Sequence, residues 1–292
     1  MTEPVHDAPP EAETTWTDLP ADEALPRLLE LHGAQIYRLA LKLCGHPEDA
    51  EDLVQDVFLQ AFRKWHQFQG DARPTTWLYA IAARACGRRR RKKSGEPETF
   101  ESLSGDARSS GARPASPLDG PVLDLGAGPL DEQLRREARE AVERALVELP
   151  FHFRIALVLK DVVELPIADI AVALGLKPAT VKTRVHRARL LVREHVLRES
   201  ELPRRQVPPP IYSKRICMDL LSAKQDALDR GAPFPVPHDE VCLRCEGFFR
   251  DLELGRDTCR GLAERDPAER GPAEGQLPSR LRELLLGSFE PS

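Results

Sequence analysis

The 292 residues, 41% apolar and 30% charged, describe a soluble globular protein of two or three small domains, with 26 prolines to supply linkers between them. A net charge of -5 argues against a bulk nucleic-acid coat but leaves room for strongly opposed local charges. No apolar run approaches the about 18 residues that span a bilayer, and the acidic, proline-rich start MTEPVHDAPPEAETTW has the wrong chemistry for a signal peptide. The expected compartment is therefore the cytoplasm, with no membrane partner, and the six cysteines read as metal ligands or buried apolar groups rather than disulfides.

Residues 1–20 read as a disordered acidic arm. Helical periodicity then runs over 21–93, opened by Leu25, Leu28, Leu29 and Leu31 and continued by Ile36, Leu39, Ala40 and Leu43. In HPEDAEDLVQDVFLQAFRKW, Leu53, Val57, Phe58 and Ala61 lie on the core side, while Glu48, Asp49, Glu51, Asp52 and Asp56 make the outer face acidic. Such a face repels DNA and suits a basic protein partner; it is also what an ordinary solvated helix presents.

In FQGDARPTTWLYAIAARACGRRRRKK, Gly70 and Pro74 shape a loop, and Thr75 or Thr76 caps a helix carrying Trp77, Tyr79 and Ile81. That helix ends in seven basic residues among the ten from Arg84 to Lys93. Aromatic rings beside concentrated arginine suit single-stranded DNA, with stacking for the bases and charge for the backbone. The alternatives are core aromatics and a solvated basic tail.

Residues 94–129, rich in Gly, Ser, Pro and Asp, read as a flexible linker. Helical patterning resumes over 130–200. In LPIADIAVALGLKPATVKTRVHRARLLVREHV, Ile167, Ile170, Ala171 and Leu174 stripe a short helix, Gly175 ends it, and Pro178 opens the next. Two helices joined by a short turn with Gly form the DNA-reading helix-turn-helix pattern. On the second helix Val181, Val185, Ala188 and Val192 share one face. Lys182, Thr183, His186 and Arg187 take the opposite one, with Arg184 and Arg189 on the flanks. No acidic residue interrupts Lys177 to Arg193, so a basic surface backed by a buried stripe is offered to the major groove. With no internal repeat and no strand alternation, the chain is all-α.

The motifs AEDLVQDVF, RPTTWLYAIAARACGRRRR and, past the linker, ELPFHFRIALVLKDV and LGLKPATVKTRVHRAR resemble, in this order, a sigma-70 family factor of the extracytoplasmic-function (ECF) group; the resemblance covers about 25–198. It implies two helical sigma domains joined by the flexible linker, region 2 at 21–93 and region 4 at 130–200. The implied partners are RNA polymerase core, through the β′ clamp helices and the β flap, and promoter DNA, with no small-molecule substrate and no enzymatic activity. Asp49, Asp52, Gln55 and Asp56 match the positions that dock on the clamp helices. The loop and helix from Phe68 to Arg84 match the element that captures a flipped base of the -10 region, which assigns Arg73, Trp77, Arg84 and Arg88 to DNA. The family usually carries Asn at the position of Arg84 and often Asp near Arg88. The helix-turn-helix matches the reader of the -35 element, with Lys182, Thr183, Arg184, His186 and Arg187 facing DNA.

After the break PRRQVPPP at 203–210, residues 211–262 contain HDEVCLRC at 238–245. His238, Cys242 and Cys245 stand at i, i+4 and i+7, so on a helix one face presents all three, a set suited to tetrahedral zinc or another soft metal. Cys217 is the expected fourth ligand, on a helix whose Ile216, Leu220, Leu221 and Leu228 pack against the metal-bearing one; Cys259 is the runner-up. Cys44 and Cys86 read as core. HxxxCxxC with an upstream ligand resembles the zinc-binding anti-sigma motif, here fused to the sigma factor as a built-in regulator, by inhibition or activation. Residues 263–292 read as a tail. The competing reading is a stand-alone helix-turn-helix regulator with a structural zinc module.

Overall fold

A computed structural model describes residues 16–94, 118, 120–124, 132–264 and 277–289, except for the side chains of residues 90–94 and 263–264 and of His238. The first fifteen residues of the arm and most of the linker lie outside the described residues. Helix α1 (Ala21–Cys44) stops at Gly45, whose φ of 82° needs the left-handed region open to glycine. Pro47 at the first position opens α2 (Pro47–Lys64), and Pro74 opens α3 (Pro74–Ser94). The expected threonine cap at Thr75 or Thr76 is thereby displaced: proline, with no N–H to satisfy, takes the first turn, and Thr76 is buried inside it.

These three helices enclose Leu25, Leu28, Ile36, Leu39, Leu53, Phe58, Leu78 and Tyr79. Each large apolar side chain so buried contributes about 1.5–3 kcal/mol relative to exposure. Leu31, expected in the same stripe, is 56% exposed.

The second block holds α4 (Glu132–Glu148), α5 (Phe151–Leu157), a π-turn over Val158–Val162, α6 (Ile167–Leu174) and α7 (Pro178–Glu199). The two blocks share one hydrophobic core. At their seam, Lys42 meets Glu143 at 2.8 Å, and the buried Arg154 donates to the carbonyls of Leu43 at 2.8 Å and Leu149 at 3.2 Å. The two helical blocks thus pack against one another.

The last block comprises α8 (Lys214–Arg230), α9 (Leu243–Glu264) and α10 (Ser279–Gly287). Helix α9 lies against α4, α7 and the π-turn, while α10 packs on α2. Leu281, Leu285 and Phe289 enter the main core, and Phe289 stacks on Phe62 at 5.5 Å. The end of the presumed tail is therefore a docked helix.

The described residues are almost entirely helical, as expected, with one short strand pair besides. Val122–Leu123 (β1) runs antiparallel to Arg204–Arg205 (β2), with Val122 opposite Arg205 and Leu123 opposite Arg204. Gly247 makes room for it, since a Cβ there would sit 2.9 Å from Val122 Cγ2. Arg244 fastens the neighbouring segments by donating to the carbonyls of Leu118 at 3.1 Å and Pro208 at 3.0 Å. Neither residues 120–124 nor the 203–210 break hangs free.

Candidate nucleic-acid interface

The helix-turn-helix forms as its punctuation demands. Gly175 has φ 65° at the end of α6, and the amides of Gly175 and Leu176 close on the carbonyls of Val172 and Ala171. Val181, Val185, Ala188 and Val192 are buried along α7. Lys177, Thr183 and Arg187 are exposed, and Thr183 returns its hydroxyl to the Ala179 carbonyl at 2.9 Å. Arg184 departs from expectation: it is buried, and loss of water around it lowers its pKa. Its charge, after burial itself, helps hold the pKa of His152 down. Helix α7 is packed along that side, so Arg184 is turned inward rather than towards a groove.

Lys182 and His186 are half-buried, and α8 covers them. Lys182 Nζ lies 2.8 Å from Asp226, and His186 Nε2 lies 2.8 Å from Asp229. Arg189 bridges the buried Asp161 on one side and Asp229 on the other, each at 2.7 Å. Burial opposes the charge of Arg189, but the two carboxylates outweigh it and raise its pKa. For Asp229, burial pushes the carboxyl up, and the His186 hydrogen bond with the Arg189 charge brings it below its ordinary value. His186, Asp226 and Asp229 come within 4.8 Å of one another, a spacing also found in cation sites. Lys182 and Arg189 already supply the positive charge there, so the cluster is an ion-pair network. Asp161, Asp226 and Asp229 were missed from the sequence; the available signal was an acidic pair at i, i+3 on an otherwise amphipathic helix.

In the first block Arg73, Arg84 and Arg88 are exposed, and Arg88 donates to Gln60 at 2.8 Å. Trp77 is half-buried, edge-on to Trp65 at 5.8 Å and tilted against Phe68 at 5.6 Å. On α2, Asp49, Gln55 and Asp56 are half-buried and Asp52 is exposed. Arg89 reaches across from α3 to Asp56 at 2.8 Å and Asp52 at 3.2 Å, so part of the acidic face is neutralised from within.

Cys217, Cys242 and Cys245 meet in the small core between α8 and α9. The Cys245 thiol hydrogen-bonds with those of Cys242 and Cys217, and burial with these neighbours pushes its pKa well up. For Cys242 burial acts in the same direction, but the amides of Cys245, Ile211 and Arg244 donate to its sulfur and bring it below its ordinary value. The expected single helical face is corrected: His238 opens a short 3-10 turn (His238–Glu240), Cys242 precedes α9, and Cys245 lies in its first turn. The His238 side chain lies outside the described residues. Cys259 is buried in the other core, where burial and Asp161 raise its pKa, and does not join the three thiols. Of the apolar residues expected to back Cys217, Leu221 and Leu228 are buried but Ile216 is 45% exposed. Among the described residues no helix is long and apolar enough to cross a membrane.

Residues 28–96 match Sigma-70 region 2, and residues 139–192 match Sigma-70, region 4, the two-domain helical class whose parts have just been described. The ECF RNA polymerase sigma factor SigM of Mycobacterium tuberculosis is 35% identical over 168 residues, 57% of this chain and 74% of that protein. The ECF RNA polymerase sigma factor SigW of Bacillus subtilis is 29% identical over 174 residues, 60% of this chain and 89% of that one. The solved complex of the sigma factor RpoE with the anti-sigma factor NepR from Bartonella quintana matches 59% of this chain and 96% of its own, at 26% identity and a TM-score of 0.41. The chain belongs to the ECF RNA polymerase sigma factors. Both domain matches end by residue 192, so α8, α9 and α10 lie beyond them.

Proposed function

We propose that this ECF sigma factor docks on core polymerase through Asp49, Asp52, Gln55 and Asp56, reaches the -10 region with Arg73, Trp77, Arg84 and Arg88, and reads the -35 element with α7. Its last hundred residues form a regulatory module that holds the factor off the promoter. Lys182, Thr183, His186 and Arg187 are the reading side chains, and Arg184 supports them from inside. The observation that carries the regulatory part is the placement of α8 against α7 by two ion pairs, Lys182–Asp226 and Arg189–Asp229, and the His186–Asp229 hydrogen bond. Inhibition thereby takes precedence over activation.

Cys217, Cys242, Cys245 and His238 would hold a zinc ion between α8 and α9. The donor set fits: three thiols meet between the helices, burial and its two neighbours hold the Cys245 thiol protonated, and a divalent cation would relieve that while fixing the two helices together. The amides aimed at Cys242 favour its thiolate in the same way. Bound zinc supplies a structural cross-link, and oxidants or softer metals acting on these thiolates would loosen it.

The test is transcription by core polymerase from genomic fragments, with the intact chain and with one ending at Glu199. The truncated chain should initiate, and more strongly than the intact one. Failure of the folded truncated chain to initiate would reject the sigma-factor assignment of these surfaces. Equal output from both would reject regulation by the module.

A further inference from the structure

The spacing of the charges across the α7–α8 contact has a specific consequence. Lys182 and His186 are four residues apart on α7, one turn, and Asp226 and Asp229 are three apart on α8, also one turn. The carboxylates therefore meet the two basic groups in register, both at 2.8 Å. That is the length of a charge-assisted bond from a basic side chain to a phosphate oxygen. The same face was picked out from sequence as the one offered to the major groove.

We propose that α8 is a stand-in for DNA: Asp226 and Asp229 occupy the positions of backbone phosphates on the recognition helix, so α8 and promoter DNA exclude one another. The proposal rests on the sigma-factor reading of α7 given above. Only part of the helix is covered. Thr183, Arg187 and Lys177 stay exposed, which leaves an edge from which DNA can begin to engage. The outer pair is half-open to water, with Lys182 44% and Asp226 29% exposed, and is easily screened. Arg189 keeps the buried Asp161 whether or not Asp229 leaves, so α8 can lift without stranding a charge in the core. A duplex presents several phosphates at once and displaces condensed counterions as it binds. It therefore competes with two carboxylates best at low salt.

Anisotropy of a short labelled duplex of mixed sequence, at low salt, tests this on the full chain. Asp226→Asn with Asp229→Asn should bind about three- to tenfold more tightly than the unaltered chain, and Asp226→Asn alone about two- to threefold. Glu283→Gln, which removes one negative charge as Asp226→Asn does but at an exposed site on α10, should leave binding unchanged. If the double variant fails to fold, the single one decides. Amide exchange is the second readout: saturating duplex should speed exchange across residues 214–230 of the unaltered chain. Affinity equal to the Glu283→Gln control, or duplex bound with α8 fully protected, overturns the proposal. Initiation by the chain ending at Glu199 is scored separately, so loss of the DNA-mimic idea and loss of the sigma-factor reading are told apart.

Discussion

Arg193 and Asp251 lie 2.9 Å apart, nearly sealed from water, with the guanidinium over the Phe248 ring at 3.9 Å. For each, burial outweighs the partner's attraction: the Arg193 pKa falls below its ordinary value, and Asp251 is pushed up to about 6. The pair is thus a costly link between α7 and α9, unlike Arg189 with its two carboxylates. The folded Asp251 pKa lies above its ordinary value of 3.8, so its contribution to stability is fully present below 3.8 and is lost as pH rises through about 6. Melting of the intact chain should show this decline, about 3 kcal/mol at most, between those values. Arg193→Met with Asp251→Asn should remove it at little cost at neutral pH, whereas Asp251→Asn alone strands the guanidinium and should cost about 3 kcal/mol. A pH profile unchanged in the double variant would place the titration elsewhere. The acidic face of α2 is a milder case. The Asp52 and Asp56 side chains are 64% and 43% exposed, and such pairs with Arg89 are worth at most about 1 kcal/mol. Asp52→Lys with Asp56→Lys should therefore shift the melting temperature little while weakening core polymerase binding about tenfold or more. Unchanged affinity in the folded variant would move the docking face off this part of α2. At this scale the sequence distinguishes residue types but not environments: Arg187 read as outward-facing and is exposed, while Arg184 and Arg189, read as basic flanks, are both buried.

Elements whose signals are local were legible. Gly175, Pro178 and the valine stripe fix α6, its turn and α7 from chemistry within about ten residues, and the helical character of 21–93 and 130–200 followed from periodicity. The β1–β2 ladder joins residues eighty apart, through two residues on each side, and has no periodicity to announce it. The cysteine spacing was readable, but i, i+4, i+7 does not specify a continuous helix; a proline-rich entry and a short 3-10 turn deliver Cys242 to the start of α9 instead. Gly247 ties these features together, because α9 accepts β1 only where no Cβ intervenes. Gly247→Ala should cost about 1–3 kcal/mol despite the better helix propensity of alanine, by pushing Val122 aside. Faster amide exchange at Leu123, whose N–H bonds to Asp251 at 3.1 Å, would report the loosened strand. No change there would mean that Val122 turns without moving the backbone. Cys242→Ser with Cys245→Ser should likewise release one bound metal per chain, read by elemental analysis, and loosen α8 from α9. Full metal retention in that variant would take the site away from these thiols.

Taken as a whole, the chain's final third straddles both sigma domains: α8 is tied to α7 through side-chain pairs, α9 lies against α4 and α7, and α10 lies on α2. The last contact bears on the proposed docking face of α2. Asp52, Gln55, Leu59 and Phe62 recur every three or four residues and so lie along one side of α2. Phe289 stacks on Phe62 at the far end of that stripe, while Arg282 reaches Glu30 at 2.9 Å. A partner that lies along the whole stripe would meet α10, whereas one confined to its first two turns would not. Removing everything after Glu264 keeps α8, α9 and the three thiols but uncovers Phe62. Core polymerase should then bind about threefold or more tightly, from apolar surface newly offered to it, with duplex affinity of α7 unchanged because Asp226 and Asp229 stay in place. Neutralising those two aspartates should do the reverse, moving DNA affinity and leaving core affinity alone. The two measurements made on both variants separate two independent latches from a single closed body; if either variant moves both affinities together, the sigma domains open as one unit through the shared core at Lys42, Glu143 and Arg154.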